Sequence, residues 1–312
     1  MVSPASDRRS SAVVTGPPRR SPSARERRHA REAWLILIPV LIYYAIFAVF
    51  PVVANTYMSF MEWNGITGIP TWVGLENYRR YFYPPYPQIV FNTALFAFVS
   101  MAVQVVLGFG IALLLNQRVR ALGLYRSLWY IPAVTSAAIM AQMVSIFISP
   151  YGGVINNVLQ NLGGDPIIWQ TSPFWMRTMI ILFSIWRGVG GTMVLFLAGL
   201  QGINPELYDA AMVDGAGAWQ RMRYLTIPLL KPTTLFIIVT GIIGGFQIFE
   251  AVQLISRGGP FNSTAVMISQ IYSDAFSNSD FGTASAGATI MAILLLGASI
   301  TMLRLMNQEE SS

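Results

Sequence analysis

Polar side chains that can bind a solute lie inside two otherwise apolar runs of this chain. Arg187 falls near the middle of one run, and Glu250 lies in the next run beside Gln247 and Gln253. A charge at mid-bilayer costs at least about 2.5–3.5 kcal/mol, so it normally faces protein or water and has a partner. One interpretation is that these groups line the path of a polyhydroxylated solute. The alternatives are an internal ion pair, or an acidic side chain that reaches the interface.

Residues for other kinds of chemistry are nearly absent. The chain has no Cys, which excludes disulfides and thiolate nucleophiles, and its single His29 lies in a basic N-terminal segment. The one Lys, Lys231, follows Leu230 and no glycine-rich phosphate loop, and the motifs of zinc proteases, serine hydrolases and dinucleotide-binding proteins are missing. We therefore expect that the chain is not an enzyme and has no catalytic residue, metal site or cofactor of its own.

The composition is that of a membrane protein. Of 312 residues, 54% are hydrophobic and 11% are charged, whereas soluble domains contain about 25% charged residues. Six apolar runs are each long enough to cross a bilayer core of about 30 Å as a helix, the element that satisfies its own backbone in lipid. The sequence thus predicts an all-α integral membrane protein with spans at about 34–55, 90–115, 127–148, 175–199, 233–255 and 284–305.

Small residues in these runs predict close helix packing. Glycine lets two membrane helices approach each other, because it has no side chain to separate them. The glycines expected to act in this way are Gly108, Gly110, Gly188, Gly190 and Gly191.

The basic residues predict the orientation. With both termini in the cytoplasm, fifteen Lys and Arg residues lie inside and four outside, as the positive-inside rule expects. Residues 1–33 are rich in Arg, Ser and Pro and are predicted to be a disordered basic tail, and residues 306–312 form a short C-terminal tail. The run at 34–55 is too long for the apolar part of a signal peptide, usually about 7–15 residues, so we expect an uncleaved anchor.

The most polar stretch between the spans, residues 204–232, carries the signals of two short helices. Asn204 can cap free backbone N–H groups, and Pro205 suits the first helical position. Gly215 completes an Asp-Gly turn, and a second helix is expected from Ala218 to about residue 225. Two short helices with a fixed turn form a rigid knob, which either receives force from a soluble partner or packs on its own protein.

This stretch resembles the EAA loop in permease subunits of binding-protein-dependent ABC importers. The family pattern is Glu-Ala-Ala, two residues, Asp-Gly-Ala, then ten residues before a hydrophobic residue and Pro, and this spacing is matched throughout. Asp209 stands where the family usually has Glu, which keeps the charge and shortens the side chain. The resemblance implies coupling to an ATPase through Glu206, Asp209, Ala210, Ala211, Asp214, Gly215, Ala216, Ile227 and Pro228.

Further short segments are similar to those of the carbohydrate-uptake branch of the family, which includes the permeases for maltose and glycerol phosphate. They occur at residues 73–78, 92–93, 150–153 and 258–261, so the resemblance covers residues 34–305 as one MetI-like type I permease domain. It implies a second homologous permease, two ATPase subunits that bind ATP and Mg, an extracytoplasmic solute-binding protein, and a sugar or similar cargo. It implies no nucleic-acid partner.

The resemblance completes the interpretation of the intramembrane polar residues. Arg187, Gln247, Glu250 and Gln253 then form the candidate substrate path of a six-span subunit in the cell membrane. Two alternatives remain at this point. One is an ABC importer permease for another small polar solute, and the other is an autonomous channel or secondary transporter that needs no ATPase.

Overall fold

The computed structural model describes residues 24–117 and 121–310, and the chain divides into two units after Val53. The rest of the predicted N-terminal tail lies outside the described residues. The first unit contains helix α1 (Ala24–Tyr44), a π-helical turn (Ala45–Val49) and the start of α2 (Phe50–Met58). Helix α1 begins ahead of the predicted span, within the stretch predicted to be disordered, because residues 24–33 consist largely of Ala, Arg and Glu, which favour helix.

The second unit is almost entirely helical, with one small sheet that the all-α prediction did not include. Strands β1 (Met61–Glu62) and β2 (Thr71–Trp72) pair antiparallel. The helices that follow are α3 (Glu76–Arg80), α4 (Tyr86–Leu115), α5 (Leu122–Val134), α6 (Ala137–Phe147), α7 (Val154–Asn161), α8 (Pro173–Gln201), α9 (Pro205–Val213), α10 (Ala218–Arg221), α11 (Ile227–Leu229), α12 (Lys231–Phe246), α13 (Met267–Tyr272) and α14 (Phe281–Glu310). A 3₁₀ turn lies at Trp169–Thr171, and π-helical turns lie at Met222–Thr226, Val252–Ser256 and Ser273–Ser277.

Four helices in the described part of the chain are long and apolar enough to cross a membrane. Two further pairs of helices are bent, and if each pair counts as one span, the number of spans rises to six. The four are Trp34–Met58, Tyr86–Leu115, Pro173–Gln201 and Phe281–Thr301. The bent pairs are Leu122–Val134 with Ala137–Phe147, at 89°, and Ala218–Leu229 with Lys231–Phe246, at 60°. The predicted span at 127–148 therefore bends between α5 and α6, whereas the bend at Leu230 lies just before the predicted span at 233–255.

Helix α4 is central to the second unit and packs against α8 and α12. One apolar cluster joins Phe96 of α4 to Ile180 of α8 and to the turn Val252–Ser256. A second cluster joins α4, α8 and α12 around Phe196 and Ile237. The polar cavity described below lies between residues of these two clusters.

Three of the five predicted packing glycines lie at close helix contacts. A Cβ on Gly190 would overlap the backbone carbonyl oxygen of Trp129, and one on Gly108 or Gly188 would overlap a side chain of a neighbouring helix. The other two have no atom within 4 Å of the place where a Cβ would lie: Gly110 and Gly191. The interpretation of glycine as a contact residue is therefore confirmed at three positions, and at the other two the described residues make no such contact.

Candidate functional site

The fifth apolar run is interrupted where its polar residues lie. Helix α12 ends at Phe246, residues 247–249 are not helical, and helix resumes at residues 250–256. Gly244 and Gly245 precede the break, and glycine destabilises a helix by about 0.5–1 kcal/mol relative to alanine. Irregular backbone at membrane depth is tolerated where it lines a cavity, because water or protein can then satisfy its polar groups. The break therefore calls for a cavity beside it.

A cavity of about 240 Å³ opens beside the break, between α4, α8 and α12. Three of the four predicted path residues line it: Arg187, Gln247 and Glu250. Gln253 lines a separate cavity of about 170 Å³, about one helical turn further along the same segment. The structure thus brings together two helices that are far apart in sequence, and it divides the predicted residues between two cavities.

The charged residues of this cavity are not paired with each other. Within residues 24–117 and 121–310, no ion pair joins Arg187 to Glu250. The Arg187 Nε atom is buried and has no hydrogen-bond partner, and Glu250 is exposed. The internal ion pair that the sequence left open is therefore absent from the described residues.

The cavity also contains polar side chains that the sequence analysis did not predict. Ser100 and Gln104 reach it from α4, and Ser184 reaches it from α8. The Gln104 Nε2 atom donates to the backbone oxygen of Ser184 at 3.0 Å, whereas the Ser100 Oγ atom is buried without a partner. The available signal was the spacing of Ser100 and Gln104, since residues four apart share one face of a helix.

The two-helix loop predicted at residues 204–232 is present. At the start of α9, the Asn204 Oδ1 atom accepts a hydrogen bond from the N–H of Glu206 at 3.0 Å, and Pro205 is the first helical residue. Gly215 forms the turn with φ of +80°, a left-handed conformation that glycine adopts without strain. The second helix continues through a π-helical turn and α11, and so ends later than predicted.

The two helices of this loop enclose an open groove of about 380 Å³. The Tyr208 hydroxyl lies 3.0 Å from the Thr226 Oγ1 atom and fastens the helices together. Four of the nine predicted coupling residues line the groove: Ala211, Asp214, Gly215 and Ala216. The other five are exposed on the surrounding surface: Glu206, Asp209, Ala210, Ile227 and Pro228.

The loop carries large exposed apolar side chains that the sequence analysis missed, and one of them, Tyr224, lines the groove. Val213, Trp219 and Tyr224 are 88%, 71% and 76% exposed. The Arg221 Nε atom, which belongs to a groove-lining residue, is buried without a hydrogen-bond partner. Exposed apolar side chains that cluster around a concave surface are typical of a protein interaction site.

Comparison with known sequences decides the family. Residues 104–308, about two thirds of the chain, match the family described as "Binding-protein-dependent transport system inner membrane component". The chain belongs to this family of permeases. The permease is therefore an inner-membrane component of an ABC transport system that works with a substrate-binding protein.

Curated relatives agree with this assignment. The permease is 34% identical over 265 residues to a probable ABC transporter permease protein of Pyrococcus horikoshii, covering 84% of this chain and 91% of that protein. It is 33% identical over 262 residues to the lactose transport system permease protein LacF of Rhizobium radiobacter, covering 82% of this chain and 87% of that protein.

A solved structure supports the MetI-like permease fold. The permease matches a chain in the crystal structure of a bacterial alginate ABC transporter in complex with an alginate pentasaccharide-bound periplasmic protein. The TM-score is 0.76 at 25% sequence identity, with 89% of this chain and 94% of that chain covered. The fold is therefore that of an ABC importer permease.

Proposed function

We propose that this permease moves a sugar or a related polyhydroxylated solute into the cell, and that Arg187, Gln247 and Glu250 bind the solute on its way. The observation that carries the proposal is the broken helix at residues 247–249, which opens onto a polar cavity between apolar helices. Discontinuous helices of this kind form midplane solute sites in other membrane transporters. Gln253, one turn further along, is the outer member of the path.

The chemistry of the cavity suits hydroxyl groups. Arg187 offers donors, Glu250 offers acceptors, and Gln247 offers both, while Ser100 and Ser184 add hydroxyl groups. A solute with several hydroxyl groups can satisfy such a set, whereas an apolar solute would leave it unpaired. The relatives named for lactose and alginate point to the same class of cargo.

In this proposal, an ATPase subunit docks in the groove of the 204–232 loop. This docking is supported by the small-residue lining at Ala211, Gly215 and Ala216, by the exposed apolar side chains of the loop, and by the resemblance to the EAA loop. Two ATPase subunits, carrying ATP and Mg, would then push on α9. Asp209 would supply the acidic group of the family pattern with a side chain that is one methylene shorter.

The remaining parts of the proposal concern topology and assembly. Six spans arise if each bent segment crosses once, with the permease domain at residues 34–305 and both termini in the cytoplasm. That orientation places the 204–232 loop where an ATPase is found. A second, homologous permease would cover the exposed side of the cavity, where Gln247 and Glu250 are accessible in the isolated chain.

Co-purification tests this function. The tagged, full-length permease is extracted from its native membrane in mild detergent, and the co-purifying chains are identified by mass spectrometry. We expect an ATPase with a phosphate-binding loop, a second permease and a solute-binding protein. The ligand bound to the solute-binding protein would identify the cargo, and a sugar is expected. Purification of the chain alone, with uptake that continues without ATP, would instead favour an autonomous transporter.

A further inference from the structure

A second cavity, the polar pocket, lies beyond the broken helix. Its volume is about 170 Å³, which equals five or six water molecules at about 30 Å³ each. The pocket lies between the turn Val252–Ser256, the loop that follows it, α13 and the turn Ser273–Ser277. Its hydrogen-bonding side chains include Gln253, Arg257, Asn262, Gln270, Ser273 and Ser277.

The loop over the polar pocket, residues 257–266, is hydrogen-bonded to two long helices. The Asn92 Nδ2 atom of α4 donates to the carbonyl oxygen of Asn262 at 2.9 Å. The Arg177 Nε atom of α8 donates to the carbonyl oxygen of Ser263 at 2.8 Å. These bonds join helix side chains to loop backbone, so the shape of the pocket is set before any ligand arrives. Preformed shape is a property of small-molecule sites.

A buried carboxylate orients one wall of the polar pocket. Asp274 is 2% exposed, and its Oδ1 atom accepts a hydrogen bond from the Gln270 Nε2 atom at 2.8 Å. Asp274 also accepts from the Asn278 Nδ2 atom at 3.1 Å and from the Tyr86 hydroxyl at 3.2 Å. The bond to Asp274 fixes the position of the Gln270 side chain, which lines the pocket.

Other residues that line the polar pocket supply donors. Arg257 is exposed and forms no ion pair with any residue that the structure describes. Gln253 and Ser277 carry no side-chain hydrogen bond within the described chain and add both donors and acceptors. A small concavity lined by several hydrogen-bond donors and acceptors suits a hydroxylated ring.

We propose that the polar pocket is a second solute site, which holds one sugar ring of the cargo at the end of the path remote from the 204–232 loop. The proposal rests on the proposed function for the identity of the cargo class. Gln253 in the polar pocket and Glu250 in the first cavity lie three residues apart on one helical segment, so the two sites are neighbours along the path.

Single-cysteine protection tests this site, because the native chain has no Cys. Full-length S277C in washed membranes is labelled with a water-soluble methanethiosulfonate reagent, in the absence of ATP, with and without lactose, maltose, trehalose or arabinotriose. We expect at least one sugar to slow the labelling by about threefold or more, as it should at twice its Kd. The matched control is N161C, an exposed position on α7 outside the pocket, where no sugar should change the rate.

A second substitution, added to S277C, distinguishes ligand binding in the pocket from an indirect effect of sugar on the labelling rate. R257G removes the guanidinium group and leaves a residue that suits φ of 52°, and Q253A removes an amide without a hydrogen-bond partner in the described chain. Either substitution should abolish the protection of S277C. Protection that survives both would overturn the site, and so would the absence of protection by every sugar.

A reporter in the first cavity distinguishes this proposal from the proposed function. Ser184 lines that cavity, so S184C reports on it. If sugars protect S184C but not S277C, the polar pocket is not a solute site while the proposed function stands. If S277C is protected but no ATPase co-purifies with the chain, the site stands and the importer assignment fails.

Discussion

Arg187 is the residue whose presence most needs a reason. Its guanidinium lies in the long apolar helix α8 with the Nε atom buried and unpaired in the described chain. A charge at this depth is unfavourable by at least about 2.5–3.5 kcal/mol on insertion scales. An apolar side chain would make a more stable helix bundle. The residue is therefore expected to serve the solute rather than the fold.

R187L separates these two roles. We expect uptake to fall by tenfold or more, since about 1.4 kcal/mol of lost solute binding already gives a factor of ten. Thermal stability in detergent should stay unchanged or rise, because no ion pair in the described chain is broken. Uptake of the labelled cargo and the unfolding temperature are the two measurements.

The matched control for R187L is T178V on the same helix. Thr178 is half-buried, and its hydroxyl donates to the carbonyl oxygen of Phe174 on its own helix at 2.9 Å. T178V should leave both uptake and stability unchanged. Normal uptake by R187L would remove Arg187 from the path, and a large loss of stability would indicate a structural role instead.

At the scale of the elements, local signals were predictable and tertiary ones were not. The cap at Asn204 and the turn at Gly215 follow from interactions within four residues, and the structure confirms both. The break at residues 247–249 depends on a cavity that three helices form together. Ser100 and Gln104 likewise line a cavity only because α8 packs against α4. A single apolar run carries no sign of such a partner.

The contact between α5 and α8 provides a stability test. A Cβ on Gly190 would overlap the carbonyl oxygen of Trp129, and this backbone atom cannot move as a side chain can. G190A should therefore destabilise the permease by about 1–3 kcal/mol, the usual cost of overpacking. The unfolding temperature in detergent and the abundance in the membrane should both fall.

Gly191 is the control for this contact. It is the next residue on the same helix and has nothing within 4 Å of a Cβ position. Because alanine is the better helix former by up to about 1 kcal/mol, G191A should be neutral or slightly stabilising. Equal stability of G190A and G191A would contradict the close packing of α5 on α8.

The segment that contains Asp274 should make stability depend on pH. Burial raises the pKa of Asp274 above its ordinary value of 3.8, and nearby Asp280 acts in the same direction, whereas the donors Gln270, Asn278 and Tyr86 act against it. The folded chain therefore binds this proton more tightly than the unfolded chain does. The stabilising contribution of the protonated group is fully present below 3.8 and is lost as pH rises through the raised pKa.

D274N isolates this contribution, because asparagine has a similar size and does not titrate. The unfolding temperatures of the native permease and of D274N are measured in detergent over a pH series that begins below 3.8 and rises from there. The native permease should lose stability relative to D274N as the pH rises. A difference that stays constant, or that changes in the opposite direction, would contradict the effect of burial on Asp274.

At the scale of the whole molecule, α12 connects the groove to the cavity. It has 16 residues and extends from Lys231 to Phe246. Lys231 follows the second helix of the 204–232 loop, and Phe246 lies at the break. A helix of this length spans about 24 Å at 1.5 Å per residue. A force on the groove can therefore reach the cavity through the second helix of the loop, the 60° bend at Leu230 and α12. Both states of the cavity must already be accessible, with ATPase and cargo shifting their populations.

G215D tests this connection without unfolding the molecule. A Cβ at Gly215 meets nothing within 4 Å, so the substitution is sterically accommodated, although φ of +80° adds some strain. The new carboxylate projects from the groove beside Asp214 and should block a partner that enters it. We expect uptake to be abolished and co-purification of the ATPase to be lost, while membrane abundance stays within twofold of native.

The control lies in the same loop. Gly217 has a negative φ of −67°, and its Cβ position is 3.7 Å from the nearest atom, so G217A changes neither the backbone nor the groove lining. G217A should therefore transport normally. If G215D also transports normally and retains the ATPase, the groove is not the coupling site. If G215D retains the ATPase but loses uptake, docking and force transmission are separate properties of the loop, and the groove then transmits force without being needed to hold the ATPase.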